Sequence, residues 1–379
     1  MNQLNIPILD AHIHQWNPYT TPHSAAILVK ALGKYPKLMD TIVRVIKPKD
    51  LMETLEITQY ALSPYLPFDY RVDSAGCSID SVIHVEANWH HQKNFGVVEE
   101  TKWIHHLPFN QQQLKLAGIV ATADPRNKRF LDILKAHQDA SPHFCGIRKM
   151  AAWHPDDGIH RWCDQPHLYT QKKFLKGFEH LAKMNLSFDA WGYSTQIKEI
   201  KSLAQNFPDT KIMVDHLATP VGLFGKVGKR TGRTPAEREL IFAKWKEDIS
   251  ELAEQKNVYT KISGLMMPVL GHQFYKQQIT ANVLQIQDLL SPLIEHAIQN
   301  FGTQRIVFAS NFPMDKPNTT LKDLIQAYIE MTAPLGEEAQ RAIFRSNAET
   351  FYQITLYTTN FIGPLSYQAF SSLKLRALS

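Results

Sequence analysis

The sequence lacks the features that mark secreted, membrane-spanning and dinucleotide-binding proteins. It has three cysteines in 379 residues, an odd number without paired zinc-ribbon spacing, so no disulfide framework is expected and a reducing compartment fits best. No apolar run approaches the roughly 20 residues needed to cross a bilayer. The first residues lack the basic and apolar stretches of a signal peptide. We therefore expect a cytoplasmic protein with no membrane partner.

Charge of one sign is also scarce. The 41 basic and 36 acidic residues leave a net charge of +5, and no long block of either sign occurs, so nucleic acid is not an expected partner. A hydrophobic fraction of 44% and a charged fraction of 20% are typical of a globular protein with a sizeable core. The composition leaves association into homo-oligomers open.

Eight short apolar segments alternate with helical patterns. Such alternation predicts right-handed β-α-β units and a parallel sheet, and eight repeats over this length favour a closed (β/α)₈ barrel over an open sheet. No Gly-x-Gly-x-x-Gly follows the first segment, which counts against a dinucleotide-binding fold. The predicted strands are 7–14, 81–87, 116–122, 144–150, 186–190, 211–216, 258–262 and 305–310.

The pattern predicts one domain over residues 1–355. The stretch 15–78 is too long for an ordinary connection, so we expect it to be an insertion that caps the barrel, with helices near 25–38 and 49–60. A last helix is expected over 336–355, followed by a C-terminal tail at 356–379.

Polar residues stand at nearly every predicted strand end, where the chemistry of such barrels is located. His12 and His14 are two apart on the first strand, so both point to one face and can share a metal ion or a substrate oxygen. A strand end without any ligand is the alternative. Polar groups converging on one mouth are typical of a catalytic pocket. The other candidates are His84, Glu86, Asp124, Arg148, His154, Asp189, Tyr193, Asp215, His216, Lys261, Ser263, Asn311 and Asp315.

Several of these residues also have a structural interpretation. Asp10 can cap a turn or orient a histidine, and a structural role is favoured for His84 because it lies in mid-strand. Lys261 can be an interior charge paired with Asp215 or Glu86. The basic loop 221–233 is either solvated surface or a lid over an anionic substrate.

Five short motifs occur in the order found in one known superfamily. They are Asp10-Ala11-His12-Ile13-His14, Gly146-Ile147-Arg148, Asp215-His216, the stretch 261–265 and Ala309-Ser310-Asn311-Phe312-Pro313. Together they resemble the amidohydrolase superfamily, and more narrowly its amidohydrolase-2 branch of sugar-acid lactonases and pyrone-dicarboxylate lactonase-like hydrolases. The resemblance covers about residues 6–355. It implies a distorted TIM barrel that hydrolyses a cyclic ester or a similar carbonyl.

The resemblance also implies roles for residues at matching positions. His12, His14 and His216 would surround one divalent ion, with zinc the first candidate. Arg148 and Lys261 would hold a substrate carboxylate or hydroxyl. Of the two, the arginine is better suited to planar, bidentate contacts. His154 and Tyr193 complete the predicted substrate-binding set.

One position departs from the family pattern. Where relatives usually have Gly-Ser-Asp-Trp-Pro, this chain has Asn311 in place of the aspartate. Asparagine cannot act as a general base, because its amide does not take up a proton near neutral pH. Asn311 can instead orient the site while Asp315 or Glu86 acts as base, the change can be an accommodated variant, or hydrolysis can be lost. Because an anionic ligand is lost as well, metal-independent catalysis stays open.

The leading hypothesis is a lactonase that opens a sugar-acid or dicarboxylate-type lactone. The expected partner is therefore a small molecule that is anionic or a lactone. Water would attack the carbonyl, with Asp315, Glu86, His216 and Asn311 as the catalytic candidates. A metal-dependent decarboxylase of the same superfamily is the second interpretation. A catalytically silent barrel that binds a small acid is the third.

Overall fold

Eight parallel strands form one sheet in the order in which they occur in the sequence. The computed structural model describes residues 6–22, 62–91, 93 and 95–354, with a few single positions between 35 and 51. The strands are short and most of their residues are buried, as expected for parallel strands that helices cover. The strands are β1 (Ile8–Ile13), β2 (Ile79–Val85), β3 (Lys115–Thr122), β4 (Phe144–Met150), β5 (Ser187–Trp191), β6 (Ile212–Val214), β7 (Val258–Ile262) and β8 (Ile306–Phe308).

The barrel closes through the chain that follows β8. The backbone N–H of Asn311 donates to the carbonyl of His12 (2.8 Å), and the N–H of His14 donates to the carbonyl of Phe312 (2.9 Å). The buried Asp10 carboxylate supports this closure by accepting the N–H of Ser310 at 2.8 Å. The result is the distorted TIM barrel that the sequence predicts.

Helices surround the barrel because their apolar residues recur every three or four positions. In α4, Phe174, Phe178 and Leu181 are all fully buried, and the Phe178 ring lies 5.0 Å from that of Phe188 on β5. This spacing places one face of the helix against the sheet. The described helices are α1 (Pro67–Asp73), α2 (Val98–His105), α3 (Phe130–Ala140), α4 (Lys172–Lys183), α5 (Ile197–Asn206), α6 (Pro235–Ala253), α7 (Val283–Phe301), α8 (Leu321–Thr332), α9 (Glu337–Arg341) and α10 (Asn347–Tyr352).

The lower barrel interior is apolar and is closed by the last helix. Leu9, Val120 and Met213 belong to a buried cluster that also includes Phe351 and Tyr352 of α10. The Phe351 ring packs 5.1 Å from that of Tyr259, near the start of β7. The C-terminal helix therefore covers the end of the barrel where the strands begin, which leaves the opposite end for a pocket.

The predicted elements differ from the described ones mainly at their ends. Strand β6 stops at Val214, and the expected final helix is divided by a π-helical turn at Ala342–Ser346. The expected helices 25–38 and 49–60 lie for the most part outside the described residues, as does the tail 356–379, so the domain division stays a prediction. No helix in the described part of the chain is long and apolar enough to span a membrane.

Candidate active site

A pocket of about 780 Å³ opens at the carboxyl ends of the strands. Its wall combines residues at the carboxyl ends of the strands and in the loops after them with Trp16 and Leu51 from the long segment after β1. It is lined by His14, Trp16, Leu51, Glu86, Ala87, Asn88, Arg148, Met150, Trp162, Trp191, His216, Met267, Asn311 and Met314. Trp16 and Leu51 belong to the predicted insertion, so this segment contributes to the pocket.

His12 and His14 meet at the base of this pocket. Their Nε2 atoms lie 3.2 Å apart, as the strand alternation predicts. The Nδ1 of His14 donates to the carbonyl of Val85 (2.8 Å), so in the neutral ring Nε2 is the acceptor. Burial, followed by the charge of Arg148, lowers the pKa of His14 to about 3, so the ring is uncharged at neutral pH.

His216 reaches the same point from a turn rather than from the end of β6. Its backbone adopts φ 58°, and the following residues continue in the left-handed region. The ring Nδ1 lies 2.8 Å from the hydroxyl of Ser263, and the ring centroid lies 4.7 Å from that of His12. A Cβ at Gly264 would approach the His216 ring to 2.4 Å, so only glycine permits this arrangement. Burial lowers the pKa of His216 to about 3.

Asp215 joins the two histidines in a set that fits a divalent metal. Donor atoms of His12, Asp215 and His216 lie within 4.8 Å of one another, and the Asp215 carboxylate has Oδ1 3.0 Å from Lys261 Nζ and Oδ2 3.7 Å from Arg148 Nη1. Two imidazoles and a carboxylate are a donor set that zinc accepts, and the Ser263 hydroxyl can fix the tautomer of His216. The sequence-predicted trio of His12, His14 and His216 contains two of these three residues.

Lys261 lies beneath the pocket and does not line it. Its side chain is fully buried, with Nζ 2.5 Å from Asp189 and 3.0 Å from Asp215. The same Nζ lies 3.2 Å from His12 Nδ1. Burial would raise the pKa of Asp215, but Lys261 and His12 together hold it well below its usual range. Lys261 is therefore an interior charge paired with Asp215, one of the alternatives that the sequence leaves open, and its predicted contact with substrate stays without support.

Arg148 and Glu86 form a second ion pair, and both residues line the pocket. Arg148 Nε lies 2.9 Å and Nη2 2.8 Å from Glu86 Oε1, and Nη2 also donates to the backbone carbonyl of Glu86 (2.8 Å). The remaining Nη1 lies 3.4 Å from His12 Nε2 and 3.7 Å from Asp215. Glu86 accepts a further bond from the N–H of Asn88 (3.0 Å).

Asn311 lines the pocket, whereas Asp315 lies behind it. Asn311 Oδ1 is 3.3 Å from His14 Nε2, and its Nδ2 donates to Asp315 (3.0 Å). Asp315 also accepts the N–H of Met266 (3.1 Å), and burial raises its pKa to about 7. Asp315 therefore orients Asn311 from below instead of facing the pocket.

Two predicted substrate-binding residues lie outside the pocket lining. His154 Nδ1 accepts the N–H of Asp156 (3.0 Å), and Tyr193 donates its hydroxyl to the carbonyl of His160 (2.8 Å). Their roles stay predictions. Asp156 also accepts the backbone N–H of Arg230 at 2.8 Å, which anchors the basic loop.

The indole and thioether walls were not anticipated. Trp191 stands two residues after Asp189 on β5, so the strand alternation could have identified it. Trp162 and Met314 lie in loops, where the sequence offers no comparable signal. His84 faces Glu100 of α2 at 3.5 Å, away from the pocket, which agrees with its structural interpretation.

An eight-stranded barrel with histidines, a carboxylate and an arginine at its mouth is typical of the catalytic end of a (β/α)₈ enzyme. The amidohydrolase family model matches residues 9–354, so the chain belongs to this family and is a hydrolase.

Individual relatives extend this result. The chain is 28% identical over 356 residues to the uncharacterized protein y4mH of Sinorhizobium fredii, an alignment that covers 92% of this chain and 99% of y4mH. It is 26% identical over 217 residues to L-fucono-1,5-lactonase of Burkholderia ambifaria, covering 56% of this chain and 62% of that protein. A zinc-bound amidohydrolase from Burkholderia multivorans superposes with a TM-score of 0.64 at 16% identity, covering 92% of this chain and 100% of the other. This last likeness shows the fold alone.

Proposed function

We propose that the protein is a lactonase, which opens a cyclic ester by attack of water at the barrel mouth. The observation that carries the proposal is the Glu86–Arg148 pair, because it places a proton acceptor and a cationic donor side by side on the pocket wall. The relationship to an L-fucono-1,5-lactonase supports the same reaction class. Free cysteines support a reducing, cytoplasmic location.

Glu86 is the proposed general base. Its carboxylate lines the pocket, whereas Asp315 is separated from the pocket by Asn311. Glu86 would take a proton from the attacking water, and the ester C–O bond would then break with the proton passing to the ring oxygen. Arg148 Nη1 would stabilise the negative charge that develops on the carbonyl oxygen. Asn311, held by Asp315, would orient the substrate with its amide.

His12, Asp215 and His216 would hold one divalent ion, zinc first, with His14 beside them as a further donor. When bound, such an ion supplies Lewis-acid polarisation of the ester carbonyl. The neutral imidazoles of His14 and His216 favour this use, because a metal ligand must be unprotonated.

The test is lactone opening followed by proton release with a pH indicator. The parent protein should open at least one member of a panel of neutral, sugar-acid and dicarboxylate lactones. His14→Ala should lower kcat/KM by about 100-fold or more, the usual scale for losing a group that acts on the transition state. His91→Ala is the matched control, because His91 is exposed and pairs with Glu99 outside the pocket.

Two other results would contradict the proposal. Release of carbon dioxide from aromatic acids without lactone opening would identify the decarboxylase. Binding of small acids by the parent protein with no turnover of any panel member would identify a silent barrel. Metal content, measured on the same preparation, separates metal-assisted from metal-independent opening.

A further inference from the structure

The charges of the described pocket lining cancel. Arg148 is its one cation, and Glu86, its one anion, occupies the Nε and Nη2 edges of that guanidinium. The Nδ1 atoms of the lining histidines are also engaged, that of His14 with the Val85 carbonyl and that of His216 with the Ser263 hydroxyl, both at 2.8 Å. Lys261 below is enclosed by Asp189 and Asp215. Both cations that the sequence offered to a substrate carboxylate therefore already have internal carboxylate partners.

The remaining lining surface is mostly apolar and aromatic, with the amides of Asn88 and Asn311 as its other polar groups. Trp162 and Trp191 lie with ring centroids 5.6 Å apart and their planes at 54°. The Trp191 N–H lies 3.0 Å from the Thr219 hydroxyl, and the Trp16 N–H donates to the carbonyl of Ser63 (2.9 Å). Trp191 and Trp16 thus offer a substrate their ring faces rather than their N–H groups. Three thioethers and two aliphatic side chains complete the apolar part of this surface: Met150, Met267, Met314, Leu51 and Ala87.

A substrate rich in hydroxyls or carboxylates would lose hydration in this pocket without equivalent partners. Burying a polar group without a hydrogen-bond partner is unfavourable, and burying an unpaired charge is more so. Flat apolar rings lose little on the same transfer and gain contact with the indole faces.

On the basis of the proposed lactonase activity, we propose that the substrate is a neutral lactone whose ring or substituent is aromatic or otherwise apolar, seated against Trp162 and Trp191. Water adds to the acyl carbon, the ester C–O bond breaks, and the ring oxygen leaves as a hydroxyl that carries the proton Glu86 took from the water. The other proton of the water stays on the new carboxylic acid, which then ionises. The product is a hydroxy acid. Its new carboxylate lies beside the Glu86 carboxylate, and this repulsion favours release.

The direct test compares three lactones of different chemistry. Dihydrocoumarin is neutral and aromatic, D-glucono-δ-lactone carries hydroxyls, and 2-pyrone-4,6-dicarboxylate is anionic. The kcat/KM for dihydrocoumarin should exceed that of either other lactone by about 10-fold or more, since polar groups without partners are strongly rejected. A higher kcat/KM for the hydroxylated or anionic lactone would overturn the inference and leave the lactonase proposal standing.

A second test assigns the preference to the indole wall. Trp162→Leu should raise KM for dihydrocoumarin by about 10-fold, the scale of one lost stacking contact, while the weaker use of the glucono lactone changes little. Trp103→Leu is the matched control, because Trp103 is half-buried on α2 outside the pocket. If Trp162→Leu does not fold, Trp162→Phe should show a smaller KM increase in the same direction. Equal effects of the Trp162 and Trp103 variants would contradict the assignment.

A third test uses binding and does not depend on turnover. Glu86→Gln would release Arg148, so calorimetry should show that 2-pyrone-4,6-dicarboxylate binds about 10-fold tighter to the variant than to the parent. The parent protein should bind the lactam 3,4-dihydro-2(1H)-quinolinone more tightly than the dicarboxylate, as measured by tryptophan fluorescence. This lactam is an unhydrolysed mimic of dihydrocoumarin. If no lactone is opened but the lactam binds, the lactonase proposal fails while the neutral, aromatic preference stands. Tighter binding of the dicarboxylate by the parent would overturn that preference.

Discussion

Two buried ion pairs stand one above the other in this barrel, and they differ in access to the pocket. The lower one, the floor, consists of Lys261 with Asp189, Asp215 and His12, and no part of the lysine is exposed. The upper one, the wall, is the Arg148–Glu86 pair, in which both residues line the pocket. Both pairs begin as charges at strand ends in the sequence. Access to the pocket therefore separates a charge available for chemistry from one that holds the barrel together.

The chemistry of the two cations supports this division. Lys261 is a point charge whose donors are used by its enclosing partners, and Asp189 is held further by the Tyr352 hydroxyl at 2.8 Å. Arg148 presents a planar fork, so two edges can hold Glu86 while the third stays directed at the site. An arginine can thus be structural and functional at once, which a buried lysine at this position cannot.

The largest expected effect comes from breaking the floor. Lys261→Met leaves Asp189 and Asp215 buried without their cation, and breaking such a pair costs about 3–5 kcal/mol. The free energy of unfolding, measured in urea, should fall by that amount. Adding Asp189→Asn removes one of the stranded charges and should recover part of the loss.

Lys244→Met is the control for this prediction. Lys244 also pairs with two acidic side chains but is half-exposed on α6, so its loss should lower the free energy of unfolding far less than Lys261→Met does. If the Lys261 and Lys244 variants lost the same stability, the floor would have no special structural role.

A middle-sized effect concerns pH and Asp315, which lies behind the wall. Burial raises the pKa of this carboxyl to about 7 in the folded protein, whereas an unfolded chain has the ordinary value near 4. Between these values the folded state binds more protons than the unfolded state. The contribution of Asp315 to stability is therefore full below about pH 4 and is lost as the pH rises through about 7. The slope from this one group is at most about 1.4 kcal/mol per pH unit.

Asp315→Asn should flatten this dependence. The measurement is the difference in unfolding free energy between pH 5 and pH 8, compared for parent and variant. Glu100, whose pKa burial also raises to about 7, retains its own slope in the variant, so the dependence should shrink without vanishing. An unchanged slope in Asp315→Asn would show that this carboxyl is ionised throughout the range.

The sequence predicted the barrel and the histidine pair because both follow from simple periodicity. Alternation along β1 is enough to bring His12 and His14 together, and eight apolar runs are enough to suggest closure. It could not separate Arg148 from Lys261, because depth in the barrel depends on register. The pairing of β1 with β2 shifts between Asp10 and Ile13, and no local pattern encodes that shift.

The metal-ligand set could also not be predicted in full from the sequence. Asp215 enters the set because β6 ends at Val214 and the chain turns sharply, with His216 at φ 58°. Such a turn depends on close packing against Gly264, a long-range contact. The sequence named Asp215 as a polar strand end, but its distance to His12 follows from tertiary structure alone.

The smallest expected effect is on the aromatic side of the pocket. Thr219→Val keeps the shape of the side chain but removes the hydroxyl that lies 3.0 Å from the Trp191 N–H. An unpaired buried N–H costs about 1–2 kcal/mol, and a less firmly held indole should raise KM several-fold while kcat changes little. Thr195→Val is the matched control, because that hydroxyl is exposed and bonds the carbonyl of Trp153 outside the lining. A fall in kcat with KM unchanged would mean that Trp191 acts on the reacting carbonyl. The pocket could then not be divided into a catalytic Glu86–Arg148 pair and an aromatic wall that only binds the substrate.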